Sequence, residues 1–124
     1  MVESEENVNL LIADDDRAFR ETVIELLEPH FPTIAVESGE RAIEIVGRVE
    51  VDLVILDMHM HMMTGLDTIR WFKEHNINLP CILMSSEVSD ELEEMAYDLE
   101  AFRVLRKPPR RKHLIEIIEC ALKL

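Results

Sequence analysis

Short apolar runs alternate with amphipathic stretches along the chain. Each apolar run has three to six residues, the length and composition of a buried strand. The runs occupy residues 8–13, 33–36, 52–56, 80–84 and 103–105. In the intervening and final stretches, apolar residues recur at the spacing of one helix face. These stretches are 16–28, 38–49, 64–75, 89–101 and 110–124.

Five strands and five helices in strict alternation predict an α/β fold. Such alternation is typical of a parallel sheet with helices on both faces, joined by right-handed crossovers. The strands are apolar at nearly every position, which predicts that both faces of the sheet are covered. We expect one domain over residues 8–124, preceded by an acidic, flexible N-terminus at residues 1–7.

Polar residues and glycines mark where the predicted elements begin. Asp16, Ser38 and Ser89 each stand just before a helical pattern, where a side chain can accept a hydrogen bond from a free backbone amide. We interpret Asp16 as such a cap rather than as a ligand. Gly39 and Gly65 lie in connections, and we expect them to adopt backbone angles that other residues avoid.

The charge distribution excludes some classes of function. The formal net charge is −13. Residues 1–102 contain 24 acidic and six basic residues, whereas residues 103–124 contain two acidic and seven basic residues. An acidic surface repels DNA, and the short basic stretch has no interleaved aromatic residues, so we expect no direct nucleic-acid binding.

Neither a membrane nor an oxidising compartment is indicated. No apolar stretch reaches the length of a membrane span, and the acidic start differs from a signal peptide, so we expect a cytoplasmic protein with no membrane association. Its two cysteines, Cys81 and Cys120, occupy apolar or amphipathic positions. We interpret them as buried, reduced thiols rather than as a disulfide.

Polar residues follow four of the five predicted strands. In open parallel sheets, ligands bind outside the carboxyl ends of the strands. Asp14 and Asp15 follow the first strand, Asp57 the third, Ser85 the fourth and Lys107 the fifth. We therefore expect these side chains to meet at one edge of the sheet. Ser86 is an alternative hydroxyl at the fourth strand.

Such a cluster of carboxylates requires positive charge nearby. Two carboxylates about 4 Å apart repel by roughly 4 kcal/mol at an effective dielectric constant near 20. Lys107 offers one positive charge, and oxygen ligands of this kind suit Mg²⁺ or Mn²⁺. One carboxylate can then act as a nucleophile toward phosphorus while the others hold the metal ion.

Four sequence motifs, taken together, resemble the response-regulator receiver domain of two-component signalling. They are "LLIADDD", "DLVILDMHMHMMTG", "CILMSS" and "RVLRKPP". Each motif alone is common, but their order and their spacing along the chain are together specific to the family. The resemblance covers residues 8–123. It implies a flavodoxin-like, doubly wound sheet of five parallel strands in the order 2-1-3-4-5 with five helices.

The resemblance also implies a role for each site residue. Asp57 would accept a phosphoryl group from a histidine kinase or phosphotransfer protein. Asp14, Asp15, Asp57 and the backbone carbonyl of His59 would hold Mg²⁺ (or Mn²⁺). Ser85 would donate a hydrogen bond to the phosphoryl oxygens. The chain would be a signalling domain rather than an enzyme with its own substrate.

At the fifth strand and beyond, the resemblance implies a lysine contact and a dimer surface. Lys107 would pair with the phosphoryl oxygens, and its peptide bond to Pro108 would be cis, which X–Pro bonds tolerate. The fourth helix, fifth strand and fifth helix would form a homodimer interface. Arg110, Arg111 and Lys112 oppose the dipole of the last helix, which points to an acidic partner or an anion.

Three positions depart from the family pattern. Val104 occupies the place of an aromatic switch residue, and Phe102 could substitute for it only with an altered backbone. His61 replaces the usual proline of the phosphoacceptor loop, and Pro109 replaces an apolar residue. Val104 and His61 favour one alternative function, a receiver-fold interaction module that signals without phosphorylation.

The loop after Asp57 suggests two metal-binding alternatives. His59 and His61 could join Asp57 around zinc or iron in a metallohydrolase. This alternative leaves Ser85 and Lys107 unexplained. The loop methionines could suggest copper, but we interpret them as packing residues. They are Met58, Met60, Met62 and Met63.

Overall fold

In the computed structural model, residues 8–124 are described. The predicted acidic N-terminus at residues 1–7 lies outside the described residues. The strands are β1 (Leu10–Ala13), β2 (Thr33–Val36), β3 (Leu53–Asp57), β4 (Cys81–Ser85) and β5 (Arg103–Arg106). The helices are α1 (Arg17–Leu27), α2 (Gly39–Val46), α3 (Gly65–Glu74), α4 (Asp90–Asp98) and α5 (Arg111–Leu122).

The five strands form one parallel sheet in the order β2-β1-β3-β4-β5, as predicted. Strands β3, β4 and β5 each end one residue later than the apolar pattern indicates. Asp57 pairs with Met84, and Ser85 pairs with Arg106. Strand pairing depends on backbone hydrogen bonds rather than on side-chain polarity, so both polar residues belong to the last position of a strand. This register places them at the sheet edge with little freedom to move.

Helices cover both faces of the sheet, also as predicted. Successive strand residues point to opposite faces, so Leu10 and Ile12 pack on one side while Leu11 and Ala13 pack on the other. Helices α1 and α5 cover the first face, and α2, α3 and α4 cover the second. All residues of β1, β3 and β4 are buried. The three central strands therefore form a rigid base for the residues at their carboxyl ends.

Side-chain caps fix the starts of four helices. Asp16, Ser38 and Ser89 each accept a hydrogen bond from a backbone amide of the first turn, which confirms their prediction as caps. Thr64 and Asp67 form a reciprocal capping box at the start of α3. The spacing of this Thr and Asp fits the capping-box pattern.

The expectation for Gly39 and Gly65 was wrong. None of the three glycines, all within the described residues, has a positive φ. Lack of space is the reason for glycine at both positions. A Cβ on Gly65 would lie 2.5 Å from the carbonyl oxygen of Asp57 and 2.5 Å from Leu83 Cδ1, and one on Gly39 would lie 2.3 Å from Thr68 Oγ1. Gly65 thus lets the start of α3 pack directly on the backbone of Asp57.

The two cysteines differ in their environment. Cys81 is buried, and burial raises the pKa of its thiol to about 12. Cys120 is exposed, so its prediction as a buried thiol was wrong. The helical pattern placed Cys120 near the boundary of the apolar face, where sequence spacing alone does not determine exposure.

Arg111 has a structural role between two helices. Its Nε donates to the carbonyl of Leu26 at 2.9 Å, and its Nη2 donates to the carbonyl of Glu28 at 3.2 Å. A cation at the carboxyl end of α1 is favourable for the dipole of that helix. Arg111 therefore joins the end of α1 to the start of α5, and its charge does not require an acidic partner.

Over the described part of the chain, no helix has the length and apolar character needed to cross a membrane.

Candidate functional site

Three carboxylates meet at the carboxyl edge of the sheet. Asp14 directly follows β1, and Asp57 ends the neighbouring strand β3. One oxygen from each of Asp14, Asp15 and Asp57 lies within 4.8 Å of the other two. Asp14 is 1% exposed and Asp57 is 5% exposed, whereas Asp15 faces solvent. The structure thus brings together the three acids that the sequence analysis selected.

Hydrogen bonds hold two of these acids in place. Asp14 Oδ1 accepts from the backbone amide of Asp16 at 2.9 Å, and Arg20 donates to the carbonyl of Asp14 at 2.6 Å. Asp15 Oδ2 accepts from the backbone amide of His61 at 3.2 Å. This last bond connects the loop after β1 to the loop after β3.

Lys107 bridges the two buried carboxylates. Its Nζ lies 2.8 Å from Asp14 Oδ2 and 3.0 Å from Asp57 Oδ1, and the side chain is only 18% exposed. The peptide bond between Lys107 and Pro108 is cis, as predicted. The same Nζ lies 4.2 Å from the centre of the Phe19 ring. Sequence reasoning missed Phe19, although its place in the first turn of α1, three residues after the Asp16 cap, put it near this edge.

The positive charge of Lys107 only partly offsets the unfavourable burial of the Asp57 carboxylate beside Asp14. Burial raises the pKa of the Asp57 carboxyl and the charge of Asp14 adds to this effect, while the contact with Lys107 opposes it; the net shift is upward. Burial also acts to lower the pKa of Lys107, but its contacts with Asp14 and Asp57 outweigh burial and raise it. One lysine therefore does not fully compensate two buried carboxylates.

The donor set fits Mg²⁺. Asp14 Oδ2 is buried, and its polar partner within residues 8–124 is the ammonium group of Lys107 at 2.8 Å. Three carboxylates that converge on one point, one of them open to solvent, suit a hard cation that keeps several waters. His59 is exposed, and the contribution of its backbone carbonyl stays a prediction.

The histidines do not join this cluster. Across the described residues, no group of three candidate ligands includes His59 or His61, and His61 reaches Asp15 through its backbone amide instead of its imidazole. The metallohydrolase alternative, which needed both imidazoles beside Asp57, has no support in this arrangement.

Ser85 lies at the same edge, but its hydroxyl is already engaged. The side chain is fully buried, and Oγ donates to the carbonyl of Glu87 at 2.8 Å while it accepts from the amide of Glu87 at 3.3 Å. Ser86 is exposed, and its carbonyl accepts from Arg106 at 3.3 Å. Burial at the strand end favours Ser85 over Ser86 as the site hydroxyl.

A cleft of about 500 Å³ opens between the loops that follow β3 and β4. His59, Glu87 and Arg106 supply its charged and ionisable lining. His59 and Glu87 stand two positions after Asp57 and Ser85, so the cleft gives solvent and ligands an approach to this edge of the sheet.

Phe102 and Val104 lie on opposite faces of the sheet. Val104 is buried on the face covered by α2, α3 and α4, whereas Phe102 packs on the opposite face. Phe102 therefore does not replace the missing aromatic residue. Tyr97, on α4, instead accepts a hydrogen bond from the Val104 amide at 3.2 Å. Sequence reasoning missed this contact because no local pattern pairs the two positions.

Three of the four loop methionines pack against the protein, as predicted. Met60 is buried in the core, and Met58 and Met63 are half-buried. Met62 is the exception, because it is 81% exposed and has a φ of 73°. A positive φ is uncommon for a residue with a side chain. The packing interpretation therefore fails for Met62.

Known proteins are similar to this chain in sequence and in fold. The family model described as the response regulator receiver domain matches residues 10–119. The heme response regulator HssR of Staphylococcus saprophyticus is 32% identical over 91% of this chain and 50% of its own length. The transcriptional regulatory protein CpxR of Escherichia coli is 29% identical over 92% of this chain and 49% of its own length. The chain thus spans about half the length of these two relatives.

Solved receiver domains share the fold. The receiver domain of the Francisella response regulator 1452 superimposes with a TM-score of 0.88 at 24% identity, covering 94% of this chain and 98% of that one. The chemotaxis protein CheY4 of Vibrio cholerae gives a TM-score of 0.86 at 21% identity, covering 93% and 98%. The family match extends over most of the chain and includes every residue of the carboxylate and lysine cluster. The chain belongs to the response-regulator receiver domain family.

Proposed function

We propose that this receiver domain accepts a phosphoryl group on Asp57 from a histidine kinase or phosphotransfer protein in a Mg²⁺-dependent reaction. The observation that carries the proposal is the position of the Asp57 carboxylate. It is buried at the sheet edge, 3.0 Å from Lys107 Nζ and grouped with Asp14 and Asp15. This arrangement can hold both a cation and the charge of an incoming phosphoryl group.

The transfer is a substitution at phosphorus. A carboxylate oxygen of Asp57 forms a bond to phosphorus while the bond between phosphorus and the donor imidazole nitrogen breaks. The bonding electrons stay on the imidazole, which takes a proton from solvent. Bound Mg²⁺ would supply positive charge that offsets the charge of the phosphoryl oxygens. Attack by water on the aspartyl phosphate later releases phosphate and restores the carboxylate.

The chain's own residues have distinct tasks in this reaction. Asp14, Asp15, Asp57 and the carbonyl of His59 would hold the cation. Lys107 already lies against Asp57 and is placed to contact a phosphoryl oxygen attached there.

Ser85 must exchange its hydrogen-bond partner to take part. Its hydroxyl has one proton, which it now donates to the carbonyl of Glu87. Donation to a phosphoryl oxygen would break that bond and free the turn that leads through Glu87 to the Ser89 cap of α4. Phosphorylation would thereby change the start of α4, a route to conformational signalling or docking that needs no aromatic residue at position 104.

A homodimer through α4, β5 and α5 is a further part of the proposal. The first turn of α4 carries Asp90, Glu91 and Glu93, while Arg103 and Arg106 of β5 are exposed. In a two-fold interface, these opposite charges can pair between the two copies. A change at the start of α4 would then alter the strength of the dimer.

Intact mass spectrometry tests the transfer directly. The protein is incubated with acetyl phosphate as a small phosphodonor, with and without Mg²⁺. The wild type gains the mass of one phosphoryl group only with Mg²⁺, and Asp57→Asn gains none. Asp52→Asn is the matched control, because Asp52 lies just before the other end of β3, where it accepts a bond from the amide of Asn9. This control variant is labelled like the wild type.

Failure of the wild type to gain mass would refute the proposal. It would favour the alternative of a phosphorylation-independent interaction module. Two observations support this alternative. Val104 stands in the place of the aromatic switch residue, and the Ser85 hydroxyl is already hydrogen-bonded to Glu87. A gain of mass in Asp57→Asn would instead place the phosphoryl group on another residue.

A further inference from the structure

The ammonium group of Lys107 has three N–H donors, and two of them have carboxylate partners. Asp14 Oδ2 lies 2.8 Å from Nζ and Asp57 Oδ1 lies 3.0 Å from it. The ring of Phe19 lies beside the same ammonium group, with its centre 4.2 Å from Nζ. The face of an aromatic ring is electronegative and attracts a cation at this distance.

Phe19 is held independently of the lysine. It lies in the first turn of α1, and its backbone amide donates to the Asp16 cap at 3.3 Å. Its half-buried side chain packs against the core face that α1 and α5 cover. The ring thus belongs to a fixed helix start, whereas the lysine stem has four rotatable bonds.

We propose that Phe19 is a positioning residue of the phosphoryl site. Its ring holds the Lys107 ammonium against Asp14 and Asp57 and keeps water from the third N–H donor of that ammonium. The proposal rests on the proposed phosphoryl transfer to Asp57. Phe19 acts through Lys107 and does not contact the reacting atoms itself.

This position of Lys107 affects the metal ion and the phosphoryl group in opposite ways. The ammonium lies against two of the carboxylates that would hold Mg²⁺, so a well-fixed lysine competes with the cation. The same fixed ammonium is ready to contact the phosphoryl oxygens during transfer. Loss of the ring would free the lysine, which would ease Mg²⁺ binding and slow transfer. General damage to the site would weaken both.

Three measurements on Phe19→Leu test this inference. Calorimetric titration is expected to show Mg²⁺ binding about two- to fivefold tighter than in the wild type, because lysine competition falls. The rate of labelling by acetyl phosphate at saturating Mg²⁺ is expected to fall about three- to tenfold, as loss of one cation–ring contact allows. In NMR spectra, the Lys107 Hε protons are expected to lose the upfield shift that the ring imposes.

Two variants serve as controls. Phe19→Tyr keeps the ring and is expected to retain all three wild-type values within about twofold. Phe102→Leu makes the same change at another half-buried phenylalanine of the same core face, whose ring lies against Arg103 instead. It is expected to leave Mg²⁺ affinity and labelling unchanged.

The inference is overturned if Phe19→Leu weakens Mg²⁺ binding and labelling together, if it changes neither, or if Phe19→Tyr behaves like Phe19→Leu. A wild type that is never labelled would refute the proposed function. The NMR shift and the Mg²⁺ titration would still decide the placement of Lys107 by Phe19.

Discussion

Asp57 is the site carboxylate whose ionisation the fold opposes. Its pKa is raised from the ordinary value of 3.8 by burial and by Asp14. The folded protein therefore binds this proton more tightly than the unfolded chain does. As pH rises from about 3.8 through the folded pKa, ionisation of Asp57 lowers the free energy of unfolding.

Asp57→Asn is accordingly expected to stabilise the protein at pH 7. It removes the unfavourable charge and leaves the pair between Lys107 and Asp14, for a gain on the order of 1 kcal/mol. The gain should disappear near pH 3, where Asp57 is protonated in both the folded and the unfolded state. Urea unfolding of both proteins across this range measures it. A variant less stable than the wild type at pH 7 would contradict this view of the cluster.

Lys107→Gln is expected to have the opposite effect. The raised pKa of Lys107 means that its charge stabilises the folded state, fully so below its ordinary pKa, and that this contribution is lost as pH rises through the folded pKa. Removing one partner of a buried ion pair costs about 3 kcal/mol. Denaturant unfolding at pH 7 measures the loss, and added Mg²⁺ should recover part of it by replacing the missing charge.

Lys112→Gln is the control for this substitution, because Lys112 is exposed on α5. It should leave both the free energy of unfolding and its response to Mg²⁺ within about 0.5 kcal/mol of the wild type. Equal losses of unfolding free energy in the two variants would contradict a stabilising role for the Lys107 bridge between Asp14 and Asp57.

At the residue scale, the sequence predicted the charged members of the site and missed their uncharged partners. Asp14, Asp15, Asp57 and Lys107 could be selected because charge directly after a buried strand is expensive and has few explanations. Phe19 gives no such signal, since a phenylalanine on an amphipathic helix is ordinary. Its contact with Lys107 depends on how α1 packs against the sheet and against α5, which local pattern does not specify.

At the scale of elements, α3 rests against the strand that carries Asp57. Gly65 begins that helix, and its amide donates to the carbonyl of Met58 at 3.0 Å. A Cβ there would lie 2.5 Å from the carbonyl oxygen of Asp57. The start of α3 and the end of β3 therefore have no room to separate without a shift in the site.

Gly65→Ala is expected to destabilise the protein by about 2 kcal/mol, because overpacking of a tight contact costs on this order. It should also reduce labelling of Asp57. Gly47→Ala is the matched control, since its Cβ would meet nothing closer than 3.5 Å and its φ is −76°. The control should be neutral or slightly stabilising. Thermal unfolding followed by circular dichroism compares them, and equal stability of the two variants would contradict the argument from space.

The elements themselves were predicted more reliably than their ends. The alternation of apolar runs and helical spacing identified all ten elements and three helix caps. The ends of β3, β4 and β5 were one residue off because backbone pairing continues into Asp57, Ser85 and Arg106. The role of Gly65 was misread because its close contacts with Asp57 and Leu83 arise from the packing of α3 on the sheet, which the local sequence does not reveal.

At the scale of the whole molecule, the sheet order is what turns separate strand ends into one site. Strand β1 lies between β2 and β3, and β3 lies beside β4, so the ends of β1, β3 and β4 are neighbours. Asp14, Asp57 and Ser85 come together for that reason. Strand β5, the outermost strand beside β4, is followed directly by Lys107. The parallel arrangement could be argued from alternation, but the order itself came from the family resemblance.

Charge is separated on the same scale. The acidic first turn of α4 precedes the exposed arginines of β5, and the chain as a whole carries −13. Because this chain spans about half the length of HssR and CpxR, their activities do not transfer to it. The output proposed for this domain is a change at α4 and contact with a partner or a second copy.

The central claim is that the clustered acids and Lys107 make Asp57 a phosphoacceptor, and reductive trapping tests it most directly. Borohydride reduces an acyl phosphate to an alcohol, so a phosphorylated aspartate becomes homoserine. After incubation with acetyl phosphate and Mg²⁺, peptide mapping should find homoserine at position 57, and none when Mg²⁺ is omitted. Phosphate on Ser85, His59 or His61, or a chain with no homoserine at position 57, would contradict the account.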